Sequence, residues 1–289
     1  MSVLINEETK VLIQGITGSQ GFFHTRQMLA YGTRVVAGVT PGKGGEQVLN
    51  IPVYNTVREA VEKHEPDAAA IFVPAAKAYE AAVESVEAGI KLVVIISEHL
   101  PLQDTIKLLV LAKTRGVTII GPNTFGIIVP SKCKIGIMPN TIYRPGPVGI
   151  VARSGTLSYE VASGLSGIGL GQSTVIGIGG DRVVGLNFVE CLELFARDPL
   201  TEAIVMVGEI GGTAEEEAAT YIKNKKLIKP VVAYVAGSSA PPGKRMGHAG
   251  AIIERGRGTY QSKIRALTEA GVKVATYPWE VAGLIRQLL

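Results

Sequence analysis

The stretch KVLIQGITGSQG, residues 10–21, decides the fold. Val11, Leu12 and Ile13 form a short apolar run, the composition of a strand covered on both faces. Gly15, Gly18 and Gly21 then recur at every third position, the punctuation of a tight turn. HTRQMLAYG (24–32) follows with helical character and stops at a glycine. Strand, glycine turn and helix make the first half of a βαβ unit. Outward from it the alternation continues. RVVAGV (34–39), AAAIFV (68–73), KLVVIIS (91–97) and VTIIG (117–121) read as strands. VREAVEKHE (57–65), AAKAYEAAVESVEAG (75–89) and TIKLLVLAKTRG (105–116) read as helices between them. Such alternation predicts a parallel sheet with helices on both faces.

Residues 122–147 break the rhythm with prolines at 122, 130, 139, 145 and 147, and read as a connection with a short hairpin around KCKIGIM. The alternation restarts at VGIVA (148–152), with strands STVIGIGG (173–180), AIVMVGEIGG (203–212), PVVAYVAG (230–237) and VKVAT (272–276). The intervening helices are TLSYEVASG (156–164), NFVECLELFARD (187–198), AEEEAATYIKNK (214–225) and YQSKIRALTEAG (260–271), with PWEVAGLIRQLL (278–289) last. The acids opening 214–225 suit a helix dipole. The expected organisation is two doubly wound α/β domains, 1–122 and 148–289, joined by a linker at 123–147.

Composition narrows the function classes. The net charge is only +4 over 289 residues with no long basic run, so nucleic acid is not the expected partner. Cys133 and Cys191 are the only cysteines and lie in no C-x-x-C pattern, so reduced thiols in a cytoplasmic setting are expected. No apolar run approaches the roughly 20 residues of a membrane span. No Cys/His cluster marks a metal site, and no G-x-x-x-x-G-K-[ST] loop marks a nucleoside triphosphate site.

Ligands of such sheets bind beyond the carboxyl ends of strands, so the glycine-rich strand ends are the candidate sites. GITGSQG (15–21) offers backbone amides at a helix start to a phosphate. An acid about 20 residues on would hold a ribose diol. Here the second strand runs instead into GVTPGKGG (38–45), and Lys43 points to a nucleotide with an extra phosphate, coenzyme A or NADP. Ser97 and Glu98 end another strand within reach of the same ligand. In the second half, ARSGT (152–156) sets Ser154 and Gly155 at a helix start, a cradle for an anion or an ordinary cap. GEIGG (208–212) sets Glu209 at a strand end, and GKRMGHAGAI (243–252) sets His248 among small residues. An imidazole nucleophile, an acid to hold its tautomer and an anion cradle suit covalent phosphoryl transfer. A non-enzymatic CoA sensor and an NADP-dependent oxidoreductase are the rival classes.

ITGSQG, GVTPGKGG, IGPN, ARSGTLSYE, GIGGD, GEIGG and GKRMGHAGAI, in this order and spacing, resemble the α subunits of succinyl-CoA synthetases (succinate–CoA ligases) along essentially the whole chain. The resemblance implies a Rossmann-like CoA-binding domain followed by a flavodoxin-like ligase domain. It implies CoA contacts at Thr17, Gly18, Ser19, Gln20, Lys43, Ile96, Ser97 and Glu98. It implies a carboxylate-substrate contact at Tyr159, phosphorylation of His248 and orientation of that ring by Glu209. It also implies a β subunit with an ATP-grasp site for Mg²⁺ and ATP or GTP, in an αβ or (αβ)₂ assembly. Succinate, phosphate and CoA would be the small substrates; related ligases use other carboxylates. Many relatives carry GPNCPG where this chain has GPNTFG (121–126), so Thr124 replaces a cysteine and Phe125 is expected to reshape the thioester end.

Overall fold

The computed structural model describes residues 3–241, 243–254 and 256–289. The chain divides into two compact units, Leu4–Asn140 with Val183–Gly185, and Thr141–Arg182 with Leu186–Leu289 and Val3.

The first unit runs β1 (Lys10–Gln14), α1 (Ser19–Tyr31), β2 (Arg34–Val39), β3 (Gln47–Val48), β4 (Ile51–Tyr54), α2 (Val57–His64), β5 (Ala68–Ile71), α3 (Ala75–Glu87), β6 (Leu92–Ile95), α4 (Leu102–Arg115) and β7 (Thr118–Ile120). The sheet order is β3-β4-β2-β1-β5-β6-β7, parallel except where β3 pairs antiparallel with β4. Setting β3 aside, the order is that of a Rossmann sheet, and it reverses between β1 and β5. Leu12, Ala69, Ile71, Val93 and Ile95 are fully buried against Ala78, Ala82 and Leu108 of the covering helices. Each such large side chain contributes about 1.5–3 kcal/mol by leaving water.

The glycine turn is closed by backbone bonds. Gly15 N–H donates to Val39 O at 2.8 Å and Gly18 N–H to Gly15 O at 3.0 Å. α1 starts at Ser19, five residues earlier than its apolar spacing announces. The early start requires Gly21, where a Cβ would lie 2.1 Å from Gly15 O.

The segment 123–147 is not a single connection. β8 (Gly126–Val129) and β9 (Cys133–Gly136) form an antiparallel hairpin inside the first unit, and residues from Thr141 on belong to the second. Lys134 of β9 is fully buried and donates to Met138 O at 2.9 Å and to Asn140 Oδ1. Burial pushes its amine down to about 8.

The second unit runs β10 (Pro145–Ala152), α5 (Gly155–Gly167), β11 (Gln172–Gly177), α6 (Phe188–Arg197), β12 (Ala203–Glu209), α7 (Ala214–Lys225), β13 (Val231–Ala236), α8 (Tyr260–Glu269) and β14 (Lys273–Ala275). A 3₁₀ turn at Pro278–Glu280 leads into α9 (Val281–Arg286). Within the unit the strand order is β14-β13-β12-β10-β11, all parallel. This is the flavodoxin order, reversing beside β10. Glu209 therefore leaves the sheet next to Arg153 and Ser154. α6 is fixed by an Asn187–Glu190 capping box and buries Phe188, Cys191, Leu192 and Phe195. Cys133 and Cys191 are buried free thiols whose ionisation burial disfavours. Among the described residues, no helix is long and apolar enough to cross a membrane.

Candidate functional site

The first unit holds a cavity of about 540 Å³ where the strand order reverses. Gly18, Ser19 and Gln20 after β1 meet Phe72 and Val73 after β5 and Ile96, Ser97 and Glu98 after β6. Six of the eight residues expected to touch CoA thus share one cavity. Thr17 and Lys43 stand outside its lining. The Thr17 hydroxyl donates to Thr40 Oγ1 at 3.1 Å, tying the glycine turn to the loop that carries Lys43. Lys43 is half exposed and pairs with Glu46 at 3.0 Å. Thr124 and Phe125 are buried at the foot of the hairpin and do not line the cavity, whereas Ile137 does. His24, stacked on Phe72 at 5.5 Å between centroids, also lines it and escaped the sequence reading.

In the second unit, His248 and Glu209 come together. The Glu209 carboxylate, 6 % exposed, meets His248 Nδ1 at 2.7 Å through Oε2. A carboxylate only accepts, so Nδ1 carries the proton and, in the neutral ring, Nε2 is left with its lone pair. The ring rests on Gly180, where a Cβ would lie 2.3 Å from His248 Cγ. The His248 loop is pinned by several bonds. Gly250 N–H donates to Gly180 O at 3.0 Å, and Met246 N–H to Ala251 O at 2.9 Å. Ala251 and Ile253 bury against Ile210. Arg182 donates to Ala249 O at 3.4 Å and pairs with Glu254. Of the nearby glycines, Gly250 serves close docking, because a Cβ there would lie 3.2 Å from Gly180 O, whereas Gly247 faces open space.

Ser154 is the N-cap of α5, its hydroxyl accepting from Leu157 N–H at 3.4 Å. The first amides of that helix, beginning at Gly155, have no acceptor within it and favour an anion. Tyr159 lies one turn further, its phenol pushed up to about 12 by burial, which keeps it a neutral donor. A second cavity of about 1020 Å³ lies at these strand ends, with Arg153, Arg182 and Arg257 in its wall. Glu254 lines the same wall and pairs with Arg182, and Arg153 pairs with Glu215, so the cationic excess that attracts anions there is smaller than three charges.

The Glu209 hydrogen bond raises the His248 pKa above 6.5, outweighing burial, which lowers it. Arg153 opposes the shift and Asp181 supports it. The folded value exceeds the unfolded one, so the ionised pair stabilises the docked loop fully below about pH 6.5 and loses that contribution as pH rises through the folded value. Replacing Glu209 by Gln should return His248 to the ordinary imidazole value or below, because burial and Arg153 remain. An ¹⁵N imidazole titration reads this, and an unchanged midpoint would contradict it.

Two halves with these sites define a CoA-dependent ligase. The CoA-binding-domain family model matches residues 6–99 and the CoA-ligase model matches residues 151–273. Succinate–CoA ligase (ADP-forming) subunit alpha 2 of Archaeoglobus fulgidus is 57% identical over 289 residues, covering 100% of both chains. The corresponding alpha subunit of Methanothermobacter thermautotrophicus is 55% identical, covering 99% of this chain and 97% of that one. ATP citrate lyase from Methanothrix soehngenii, solved with citrate and coenzyme A, superposes with a TM-score of 0.91 at 27% identity over 99% of this chain. This chain spans half the length of that one. The chain belongs to the succinate–CoA ligase alpha-subunit family.

Proposed function

We propose that the chain is the CoA-binding, phosphoryl-carrying subunit of a succinate–CoA ligase, catalysing succinyl-CoA + phosphate + NDP ⇌ succinate + CoA + NTP with a partner subunit. The observation that carries this reading is the Glu209–His248 pair at 2.7 Å. Phosphate attacks the thioester carbonyl, the C–S bond breaks and CoA leaves with succinyl phosphate behind. Nε2 of His248 then attacks phosphorus, and succinate departs with the bridging electrons. Glu209 accepts the Nδ1 hydrogen bond and offsets the charge of the phosphorylated ring. The amides at Ser154 and Gly155 hold the phosphate oxygens, and the work is mostly positioning and charge stabilisation. The Tyr159 hydroxyl binds the substrate carboxylate.

CoA lies in the first-unit cavity, its phosphates on the amides of Gly18, Ser19 and Gln20, with Lys43 exchanging Glu46 for a phosphate. Thr17 shapes that turn. The nucleotide, its Mg²⁺ and an ATP-grasp site belong to a β subunit, in an αβ or (αβ)₂ assembly. Among the described residues of this chain, no group of three or more His, Cys, Asp or Glu side chains could hold a metal. The relatives' names favour ADP as the nucleotide and succinate as the acid. The test is to purify the chain with the ATP-grasp subunit and supply ATP, Mg²⁺, succinate and CoA. Succinyl-CoA and ADP should form in equal amounts, each absent without either subunit. CoA binding without turnover would overturn the reading in favour of a sensor.

A further inference from the structure

Behind the Glu209–His248 pair lies a cluster of buried charges that the reaction above leaves unused. Glu215, in the first turn of α7, and Lys263, in α8, are both sealed from solvent. Glu215 Oε2 accepts from Lys263 Nζ, and Glu215 Oε1 accepts from Arg153 Nε at 3.3 Å. Lys263 Nζ completes its three donations at Glu216 Oε2, 3.0 Å away, and Gly212 O, 3.2 Å away. Ser262 Oγ donates to the other oxygen of Glu216 at 2.8 Å.

This cluster reaches the site through backbone. Glu215 Oε1 also accepts the N–H of Glu209 itself, at 3.2 Å. The stem of Glu215 fills the space beside Gly208, where a Cβ would lie 2.7 Å from its Cγ. Arg153 Nη1 donates to Asp181 O at 3.5 Å, one residue beyond the glycine under the imidazole. Lys263 grips Gly212 O on the far side of the β12 turn. Three strand ends that hold His248 are thereby tied to one carboxylate. Buried ion clusters are weak sources of net stability because desolvation consumes the Coulomb gain, and their well-supported use is to specify an arrangement.

We propose that Glu215 is the positioning residue of the phosphohistidine site, holding Glu209 so that its carboxylate meets Nδ1 and leaves Nε2 aimed at the phosphoryl group. Arg153 and Lys263 hold Glu215 in turn. The inference rests on His248 as the phosphoryl carrier. The acceptor oxygen that Glu215 offers to Glu209 N–H and to Arg153 Nε, rather than the charge of the cluster, carries the effect.

Two double variants separate these in the complex with the ATP-grasp subunit. Glu215→Gln with Lys263→Met removes one charge of each sign and keeps an oxygen acceptor for Glu209 N–H. Glu215→Leu with Lys263→Met removes the same charges and the acceptor that Glu209 N–H and Arg153 Nε share. The rate of His248 phosphorylation by ATP and Mg²⁺ is followed by rapid quench across pH, with CoA binding as a control in the first unit. The Gln pair should stay within about threefold of wild type, whereas the Leu pair should slow by on the order of 10- to 100-fold with its acid limb displaced. CoA affinity should be unchanged in both. Equal rates and pH profiles for the two pairs would overturn the proposal. Should the Leu pair not fold, Glu215→Asp keeps every charge and shortens the reach; about tenfold slowing supports the proposal and wild-type kinetics overturns it. A His248→Asn control that still takes up label would instead overturn the carrier assignment, leaving the two failures distinguishable.

Discussion

Replacing His248 by Asn should abolish acid-labile phosphate on the chain and cut succinyl-CoA formation by on the order of 10⁴-fold or more, the usual cost of deleting a covalent nucleophile. The side-chain amide of Asn can donate its N–H to Glu209, so the loop keeps a partner for the carboxylate, but it offers no nitrogen lone pair to phosphorus. With CoA placed in the cavity of the first unit, as proposed above, its affinity should change by no more than about twofold. Labelled ATP with the partner subunit, followed by acid and alkali treatment, checks the first point, and calorimetric titration with CoA checks the second. Label surviving in the variant at wild-type stoichiometry would remove His248 from the mechanism.

The second large effect should come from a residue with no functional group. Gly180→Ala introduces a methyl 2.3 Å from His248 Cγ, 2.5 Å from Cδ2 and 2.6 Å from Nδ1. Contacts that short cannot persist, and the ring, on a partly exposed loop, is the part free to move. Displacing it stretches the 2.7 Å bond to Glu209 and turns Nε2 away from the phosphate. Phosphorylation should fall by about 10²-fold, the effect expected of a misplacement near 1 Å. Stability should change by less than about 1 kcal/mol, below the usual overpacking cost, because the core is untouched. A full-rate variant, or one that simply unfolds, would contradict this account of why the strand ends in glycine.

Much of the fold was legible because apolar runs and glycine stops repeat with βαβ spacing. α7 was readable to the residue, from Ala214 to Lys225. The β3–β4 hairpin was not. Its turn places Leu49 and Asn50 at φ +53° and +63°, a conformation that glycine or Asn-Gly normally announces. The hairpin expected around KCKIGIM is present as β8 and β9, but the prolines of 122–147 resemble a linker, and Pro145 in fact begins β10, where a strand tolerates it. At the site, His248 and Glu209 carried the signals of an isolated imidazole and an acid after an apolar strand. Glu215 carried a misleading one. Three consecutive acids at a helix start read as dipole partners alike, but Glu215 turns inward to Arg153 and Lys263. Only the tertiary neighbours distinguish it from Glu216 and Glu217. Gly180 was likewise visible as a glycine, while its reason, the ring lying on it, came from a residue 68 positions away.

The parallel run of β10 to β14 has a practical side. Every group argued to touch phosphate or the imidazole leaves a strand at its carboxyl end, so the turns that enter the strands lie at the opposite edge. The turn between α7 and β13 is one of these, and Ile228 at its tip is 96 % exposed. A fluorophore, an affinity tag or even new termini could be grafted there without approaching the phosphoryl site. Insertions at the opposite edge would pass through Gly180, Glu209 or the loop of His248. The chain thus offers engineers one permissive edge and one that must be left alone.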